Sequence, residues 1–372
     1  RKGTVWVAVR IPDDAICAHA NQSRIRTFNQ KDKKNVMFSK DCITFAREKG
    51  WFSGKDADFS FCEAYAYPDF SGRRFCEARV WSFFNHFSTD MERYLPYAEG
   101  KVKDAEPMPL WIKPNRKVSV QDIQECMRDH YEGTPFSLDK DPGQGVWNMP
   151  YRPTPLTYKV DGKEYFNERP TSTQQTAFSY VAQLRSWLPR QIGGVLWFGN
   201  DDGNMVAYTP VYCGNTSQPE CYNTKDADAV TFSMKNAFWV CNWVSNMVYP
   251  RYSLMFGSLK SVRDSLETSY FSAQAEIERK AMVLYDENPS LAIDFLTDYS
   301  IDKAQQMIDR WRQLGTYLIV KYNDMAIKPD EDGRFIRTET GLGATVERPG
   351  FPENVAREIV KSSGDRYAVP EE

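Results

Sequence analysis

The sequence predicts an α+β fold, with strands in the first part of the chain and helices in its last third. Short runs of alternating or β-branched residues occur up to about residue 212, and Pro, Gly, Asn or Asp bound most of them. Farther along, apolar residues recur at the spacing of one face of a helix. Phe, Tyr and Trp make up 14% of the 372 residues, which requires a packed interior, a binding groove or both.

Charge and hydropathy exclude two classes of partner. Lys and Arg number 47 against 50 Asp and Glu, and the two signs are interleaved, so no basic block marks a nucleic-acid surface. No apolar run approaches the ~20 residues that span a bilayer. The chain begins at Arg1 and passes directly into the strand-like run 5–11, so we expect truncation or processing to have removed an earlier segment.

The first elements are expected to be two strands followed by helices. Residues 5–28 predict a β-hairpin with its turn at Pro12-Asp13-Asp14. Helices are expected over residues 42–49 and 77–86, and Ser39-Lys40-Asp41 caps the first of them.

Residues 100–175 are rich in Pro, Gly and charged side chains and are interpreted as an insertion. Within them a helix is expected over 120–131, with Ser119 as its N-cap. Asp161-Gly162 lies between alternating residues and predicts a hairpin over 158–165. After the insertion the pattern predicts strands over residues 178–184, 194–198 and 206–212.

The domain organisation follows the change from strands to helices. Residues 1–255 are expected to form one core, residues 256–330 a helical region, and residues 331–372 a tail with one short helix at 353–361. Helices are expected to begin at Asn288-Pro289 and at Ser300. One face of the last long helix carries an apolar stripe, interpreted as core, made of Ala304, Met307, Ile308, Trp311 and Leu314.

Few motifs of known chemistry are present. The sequence contains no HExxH, GxSxG, P-loop or GxGxxG motif and no CxxC pair, so no metal or organic cofactor is expected. Of the three histidines, His19 is the candidate for a site, because alternation along the predicted second strand places it on the same face as Asn21. The acidic pairs Asp13/Asp14 and Asp201/Asp202 lie beside Pro or Gly and are interpreted as surface turns. A glycosidase or glycan-binding site would need two carboxylates facing each other across a groove, which the sequence leaves open.

Two of the eight cysteines, Cys213 and Cys221, flank a turn-rich loop. They are interpreted either as a disulfide that closes this loop or as two unpaired thiols. A disulfide would suit an oxidising compartment and, with the aromatic content, favours an exported bacterial protein, periplasmic or extracellular.

Three segments, in order along the chain, are similar to signatures of the PepD-type dipeptidases. These are cysteine peptidases of the N-terminal-nucleophile hydrolase superfamily. The segments are residues 7–22, residues 176–202 and residues 236–246. The second is the strongest match, with the core Val181-Ala182-Gln183-Leu184-Arg185-Ser186-Trp187-Leu188-Pro189.

This resemblance implies a four-layer αββα sandwich, incomplete here because the N-terminal sheet segment is missing, with a largely helical C-terminal part. It also implies hydrolysis of dipeptides by a cysteine made N-terminal by removal of a propeptide, whose own α-amine, with a pKa near ~8, acts as base. No cysteine of this sequence occupies that motif, so the nucleophile is expected upstream of the chain. The chain alone is therefore expected to be inactive, and its partners are a dipeptide substrate and the N-terminal segment of the same protein.

The resemblance also suggests residues that support the reaction. Asn21 resembles the asparagine that related hydrolases use to bind the oxyanion, and Arg79 resembles an arginine near their nucleophile. The alternatives are an Asn that satisfies a turn and an Arg that pairs with Glu77 or another acid. His19 is expected to contact substrate.

The sequence is also compatible with two other functions. One is a related amidase that acts on N-acyl amino acids or bile-acid conjugates. The other is a non-catalytic binding or structural protein, if the upstream segment is naturally absent. With its sheet incomplete, the chain should expose apolar strand edges and associate with its N-terminal part or with another copy, as a homo-oligomer.

Overall fold

A computed structural model describes residues 3–223 and 225–370. The chain divides into two compact units. Unit 1 contains the chain up to Tyr131 together with Thr154–Thr171, and unit 2 contains Glu132–Pro153 together with the chain from Ser172 onward. Both units contain helices and strands, which confirms the α+β class.

The strands of unit 1 are short and form antiparallel two-stranded ladders. β1 (Val7–Val9) pairs with β3 (Val36–Phe38), β2 (Ile16–Cys17) with β4 (Trp111–Ile112), and β5 (Thr157–Val160) with β6 (Lys163–Phe166).

The hairpin predicted for residues 5–28 is wrong in its pairing. The turn itself forms, since the Ala15 amide donates to the Pro12 carbonyl at 3.1 Å. β1 pairs with β3 instead of β2. The hydrogen bond from the Arg10 amide to the Asn35 carbonyl, at 2.8 Å, extends this ladder by one residue. Strands of two or three residues carry so few ladder bonds that packing, here around the buried Val36, decides their partners.

The hairpin expected at Asp161-Gly162 is confirmed. In the pair of β5 and β6, Val160 lies opposite Lys163, and the register continues to Thr157 opposite Phe166. Asp161 and Gly162 have φ values of 48° and 78°, the left-handed conformations that a type I′ turn requires.

The helices of unit 1 are α1 (Cys42–Glu48), α2 (Phe61–Tyr65), α3 (Ala78–Asn85), α4 (Leu95–Glu99) and α5 (Val120–Met127). Ser119 caps α5 as predicted, and Asp122 completes a capping box. The helix ends before residue 131 because Tyr131 has a φ of 69° and its amide bonds to the Asp129 carboxylate at 3.0 Å. A π-helical segment, Gly72–Glu77, leads directly into α3.

Unit 2 is built on an antiparallel sheet with the order β7 (Phe178–Leu184), β8 (Gly194–Asn200), β9 (Thr209–Tyr212). Its inner face is buried: Val181 lies opposite Trp197, and the Trp197 ring stacks on Phe271 at 4.2 Å. The strands expected over 178–184 and 194–198 are confirmed, and β9 occupies only the second half of the run expected over 206–212.

The helices of unit 2 are α6 (Arg190–Gly193), α7 (Ala237–Val248), α8 (Tyr252–Glu287), α9 (Pro289–Tyr322) and α10 (Glu353–Ser363). A short hairpin, β10 (Asp330–Glu331) with β11 (Arg334–Phe335), follows α9. Asn288 caps α9 as predicted, and the stripe from Ala304 to Leu314 is buried core.

The helix start predicted at Ser300 is wrong, because Ser300 lies inside α9. Its hydroxyl donates to the Leu296 carbonyl at 2.8 Å, one turn earlier, so the side chain is satisfied without ending the helix.

Candidate functional site

The structure brings Asn21 and Arg79, two of the residues predicted to support the reaction, into direct contact. Arg79 Nη2 donates to Asn21 Oδ1 at 2.9 Å, and Arg79 Nε donates to the Phe75 carbonyl at 2.8 Å. Because the guanidinium occupies the amide oxygen, the Nδ2 group of the exposed Asn21 is the end left to donate to a ligand. A fixed amide N–H₂ is suited to an oxygen that develops negative charge.

Asn21 has a left-handed backbone. Its φ is 60°, a region that residues other than Gly rarely adopt but that Asn tolerates best. The strand β2 ends at Cys17, so Asn21 lies in the bend that follows the strand.

A buried ion pair between Arg24 and Glu77 fixes the segment that carries Asn21. Arg24 Nε donates to both carboxylate oxygens of Glu77, at 2.9 and 3.2 Å, and the two side chains are only 3% and 4% exposed. The remaining Arg24 nitrogens donate to the carbonyls of Ala18, Pro109 and Leu110. Burial raises the pKa of Glu77, and the neighbouring Arg24 charge opposes that rise. Arg79 therefore does not pair with Glu77, the alternative that the sequence had left open.

The segment that carries Asn21 also passes close to Gly72 of the π-helical segment. A Cβ at position 72 would stand 2.6 Å from Gln22 Oε1, so a larger residue there would require the Gln22 side chain to shift. Gln22 Nε2 also donates to the Ala66 carbonyl. The residues on both sides of Asn21 are thus fixed to the segment that leads to Arg79.

A further guanidinium, that of Arg169, belongs to a segment attached to the π-helical segment before α3, because Arg74 donates to the Glu168 carboxylate. The hydroxyl of the buried Tyr131 donates to the Arg169 carbonyl at 2.9 Å. Burial lowers the pKa of Arg79, and the Arg169 charge lowers it further. Nothing in the sequence pattern singled out Arg169 or Tyr131.

The acids of this region are already paired. Glu77 holds Arg24, and the Glu168 carboxylate accepts two hydrogen bonds from Arg74. Within residues 3–223 and 225–370, Arg79 and Arg169 form no ion pair. The site formed by Asn21 and Arg79 therefore presents a hydrogen-bond donor and a positive charge, which are complementary to an anion or an oxyanion.

His19 is not brought to this site by the described contacts. The alternation that placed His19 and Asn21 on one face requires a strand, and β2 ends at Cys17. His19 is exposed and lines a separate cavity of about 450 Å³ together with Cys17 and Arg24.

Burial makes most of the thiols poor nucleophiles. It raises the pKa of Cys17, Cys42, Cys62, Cys126, Cys221 and Cys241, whereas a nucleophilic thiol needs a lowered pKa. The Cys76 side chain hydrogen-bonds to Arg79, so its thiol is the one to test as an alternative nucleophile at this site.

The disulfide between Cys213 and Cys221 does not form. Both are free thiols, Cys213 exposed and Cys221 buried. The Cys213 sulfur lies over Gly194, where a Cβ would stand 2.8 Å away, while Cys221 lies near Cys241. The loop therefore gives no argument for an oxidising compartment.

The interpretation of Asp201 and Asp202 as a surface turn is wrong, because both side chains are fully buried. Asp201 accepts from Asn242 at 2.9 Å and from Ser245 at 2.7 Å. Asp202 accepts from the hydroxyls of Tyr151, Ser172 and Tyr249. Full burial removes these carboxylates from any groove, so they do not support a glycosidase site.

Asp13 and Asp14, by contrast, are confirmed as a surface turn. They form exposed ion pairs with Arg10 at 3.1 Å and with Lys113 at 2.7 Å. In the described part of the chain no three His, Cys, Asp or Glu side chains gather as metal ligands. None of the helices described there is long and apolar enough to cross a membrane.

Comparison with known proteins identifies similar sequences. The family model described as peptidase family C69 matches residues 1–265. A probable dipeptidase of Salmonella dublin is 28% identical over 57% of this chain and 43% of its own length. A probable dipeptidase of Latilactobacillus sakei is 25% identical over 79% of this chain and 55% of its own length. Dipeptidase A of Lactobacillus helveticus is 24% identical over 64% of this chain and 44% of its own length. The chain therefore spans about half the length of the curated relatives it matches.

Proposed function

The chain belongs to peptidase family C69, and on that premise we propose that the whole protein is a dipeptidase whose catalytic cysteine lies upstream of Arg1. The observation that carries the proposal is the hydrogen bond from Arg79 to Asn21, which leaves the Asn21 amide N–H₂ exposed beside unpaired positive charge. The names of the relatives, dipeptidase and probable dipeptidase, agree with it.

In the proposed reaction, the upstream cysteine is N-terminal and its α-amine takes the thiol proton. The sulfur attacks the carbonyl carbon of the peptide bond, and the carbonyl oxygen becomes an oxyanion that accepts from Asn21 Nδ2. Collapse breaks the C–N bond, and the ammonium group returns the proton to the leaving amine. Water then hydrolyses the thioester. Arg79 acts through Asn21, by holding its amide oxygen.

The same premise supports a fold proposal, the four-layer αββα sandwich. Helices α8 and α9 cover one face of the sheet β7-β8-β9, which accounts for two layers. On the other face of β7, Phe178, Tyr180 and Leu184 are 56%, 52% and 76% exposed. An apolar sheet face of this kind is what a second sheet would cover.

Unit 1 offers an independent reason to expect an upstream segment. Its ladders are two-stranded, and such ladders are marginal by themselves. A cavity of about 850 Å³ lies beside β1 and is lined by the stretches around Ile11, Ile25 and Leu110. Strands supplied from upstream would extend these ladders and fill this space.

The test uses the full-length protein with its N-terminal cysteine intact or replaced by Ala. We expect turnover of dipeptides to be lost in the Ala variant and retained in Cys76→Ser, which removes the thiol that hydrogen-bonds to Arg79. Equal turnover with and without the N-terminal cysteine would overturn the mechanism. Faster turnover of N-acyl amino acids than of dipeptides would instead favour the related amidases, and a coding sequence without an upstream cysteine would favour a non-catalytic protein.

A further inference from the structure

The bend that presents Asn21, residues 18–24, is held by side chains and not by its own backbone. Among the described residues, no amide or carbonyl of this bend forms a hydrogen bond with another backbone group. Asn21 nevertheless has a φ of 60°, a sparsely populated conformation that persists only where the surrounding structure imposes it. Contacts made by side chains must therefore determine where the Asn21 amide points.

Arg24 closes this bend from its C-terminal end. Its Nη1 donates to the Ala18 carbonyl at 3.2 Å, six residues earlier, and so joins the two ends of the bend. Nη1 also donates to the Leu110 carbonyl at 3.0 Å, and Nη2 donates to the Pro109 carbonyl at 2.8 Å, directly before β4. Because β4 pairs with β2, the guanidinium attaches both ends of the bend to the ladder from which the bend emerges.

The bend also contacts one helical segment at two points. Arg79 Nη2 donates to Asn21 Oδ1 at 2.9 Å, and Arg24 Nε donates to the Glu77 carboxylate at 2.9 Å. A single hydrogen bond would leave the Asn21 amide free to turn about it, whereas two contacts fix both its position and its direction. The second contact is shielded from water, since the Arg24 and Glu77 side chains are 3% and 4% exposed, and burial strengthens such a contact.

We propose that Arg24 is a positioning residue for the reaction, which directs the Asn21 amide toward the developing oxyanion by closing the bend against Glu77. An oxyanion donor is effective only when it is oriented before the charge forms. This inference rests on the proposed dipeptidase function and extends it to a buried arginine that acts through Asn21. Arginine suits this role because its planar guanidinium donates in several fixed directions at once, which the single ammonium group of lysine does not reproduce.

The test is a double-mutant cycle in the full-length protein, with kcat and KM measured for dialanine. Arg24→Lys keeps the charge beside Glu77 but loses contacts to the carbonyls, so kcat should fall about 10- to 100-fold, the effect of misplacing a reacting group by about 1 Å. KM should change less than about threefold, because the ground-state complex does not depend on this donor. In the Asn21→Ala background the same substitution should lower kcat less than about twofold, because the amide that Arg24 positions is already absent.

A second variant and a control keep this test independent of folding defects. Glu77→Gln removes the charge but keeps an oxygen for Arg24 Nε, and it should also lower kcat only when Asn21 is present. Arg263→Lys is the control, because Arg263 is a buried arginine of unit 2 that donates to the Asn204 carbonyl at 2.9 Å. Its effect on kcat should be equal with and without the Asn21 amide, and circular dichroism should show that each variant is folded.

The outcomes separate this inference from the function on which it depends. Absence of dialanine turnover in wild type would refute the dipeptidase function itself. An unchanged kcat in Arg24→Lys, or an equal loss with and without the Asn21 amide, would overturn only the positioning role of Arg24. A loss confined to proteins that retain Asn21 would support that role, because a general structural defect does not depend on one side chain.

Discussion

Asn21 combines a left-handed backbone with a side chain whose orientation Arg79 determines. If its amide binds the oxyanion, Asn21→Ala in the full-length protein should lower kcat for dipeptides about 10²- to 10³-fold, the usual effect of losing one such donor. KM should change little, because the donor acts mainly on the charge of the transition state. Steady-state kinetics on one dipeptide measures both values.

Asn21→Gly is the matched control for this prediction. Glycine adopts a φ of 60° without strain but has no amide side chain. Activity lost equally in both variants assigns the effect to the amide. Activity retained in Asn21→Gly would show that only the backbone conformation matters.

Asp201 makes stability depend on pH. Burial raises its pKa to about 7, the Asp202 charge adds to the rise, and the hydrogen bonds from Asn242 and Ser245 oppose it. Between pH 4 and pH 7 the folded protein keeps a proton on Asp201, whereas the unfolded chain, in which the pKa of Asp201 is about 4, releases it. The contribution of Asp201 to stability is therefore greatest below pH 4 and falls as the pH rises to about 7. The loss amounts to a few kcal/mol, since one pKa unit corresponds to about 1.4 kcal/mol.

Asp201→Asn should remove this dependence. The amide can accept from Asn242 and donate to the Ser245 hydroxyl, so the buried contacts persist without a titrating proton. Urea unfolding at pH 5 and pH 8 gives the free energy of unfolding of both proteins. A difference between wild type and variant that is the same at both pH values would contradict the raised pKa.

At the scale of elements, the contact between α7 and α9 depends on Gly315. A Cβ there would stand 2.2 Å from the Trp243 ring, so Gly315→Ala should destabilise the protein by about 1–3 kcal/mol or more through overpacking. Gly257→Ala in α8 is the control, because no atom lies within 4 Å of its Cβ position. Helix propensity should make that variant more stable by up to about 1 kcal/mol. Thermal unfolding measures both, and a loss of stability in Gly257→Ala equal to that in Gly315→Ala would refute the steric argument.

Elements with strong local signals were predictable from the sequence. The cap at Ser119, the Asp161-Gly162 turn and the Asn288-Pro289 helix start each depend on residues adjacent in the chain, and all three are confirmed. The pairing of β1 with β3 and the burial of Asp201 depend on packing between distant segments, which periodicity does not report.

In the candidate site too, contacts between distant segments were not predictable from the sequence. Asn21 and Arg79 were identified through family resemblance, and their hydrogen bond joins positions 58 residues apart, which no local pattern predicts. Arg169 was missed because a charged residue before a proline is typical of a solvated loop. Its contact with Tyr131 joins positions 38 residues apart, which no local pattern predicts either.

For the whole molecule, the outer face of β7 determines how the chain should behave without the upstream segment proposed above. Phe178, Tyr180 and Leu184 alternate along this strand and are all exposed, and β7 is an edge strand. An exposed apolar edge is a template for association. Residues 1–372 expressed alone should therefore self-associate, whereas co-expression with the upstream segment should give a defined complex, as light scattering and sedimentation would show.

Paired substitutions on β7 separate association through this face from general misfolding. Leu184→Lys places a charge on the outer face and should reduce self-association while leaving the far-ultraviolet circular dichroism unchanged. Val181→Lys places the same charge on the inner face, where Val181 is buried opposite Trp197, and should unfold unit 2 instead. If residues 1–372 prove monomeric and highly soluble, the outer face needs no partner, and the proposal that a second sheet covers it is refuted. If the chain associates and Leu184→Lys suppresses the association, then the outer face of β7 drives it. That face is the one that the second sheet is proposed to cover.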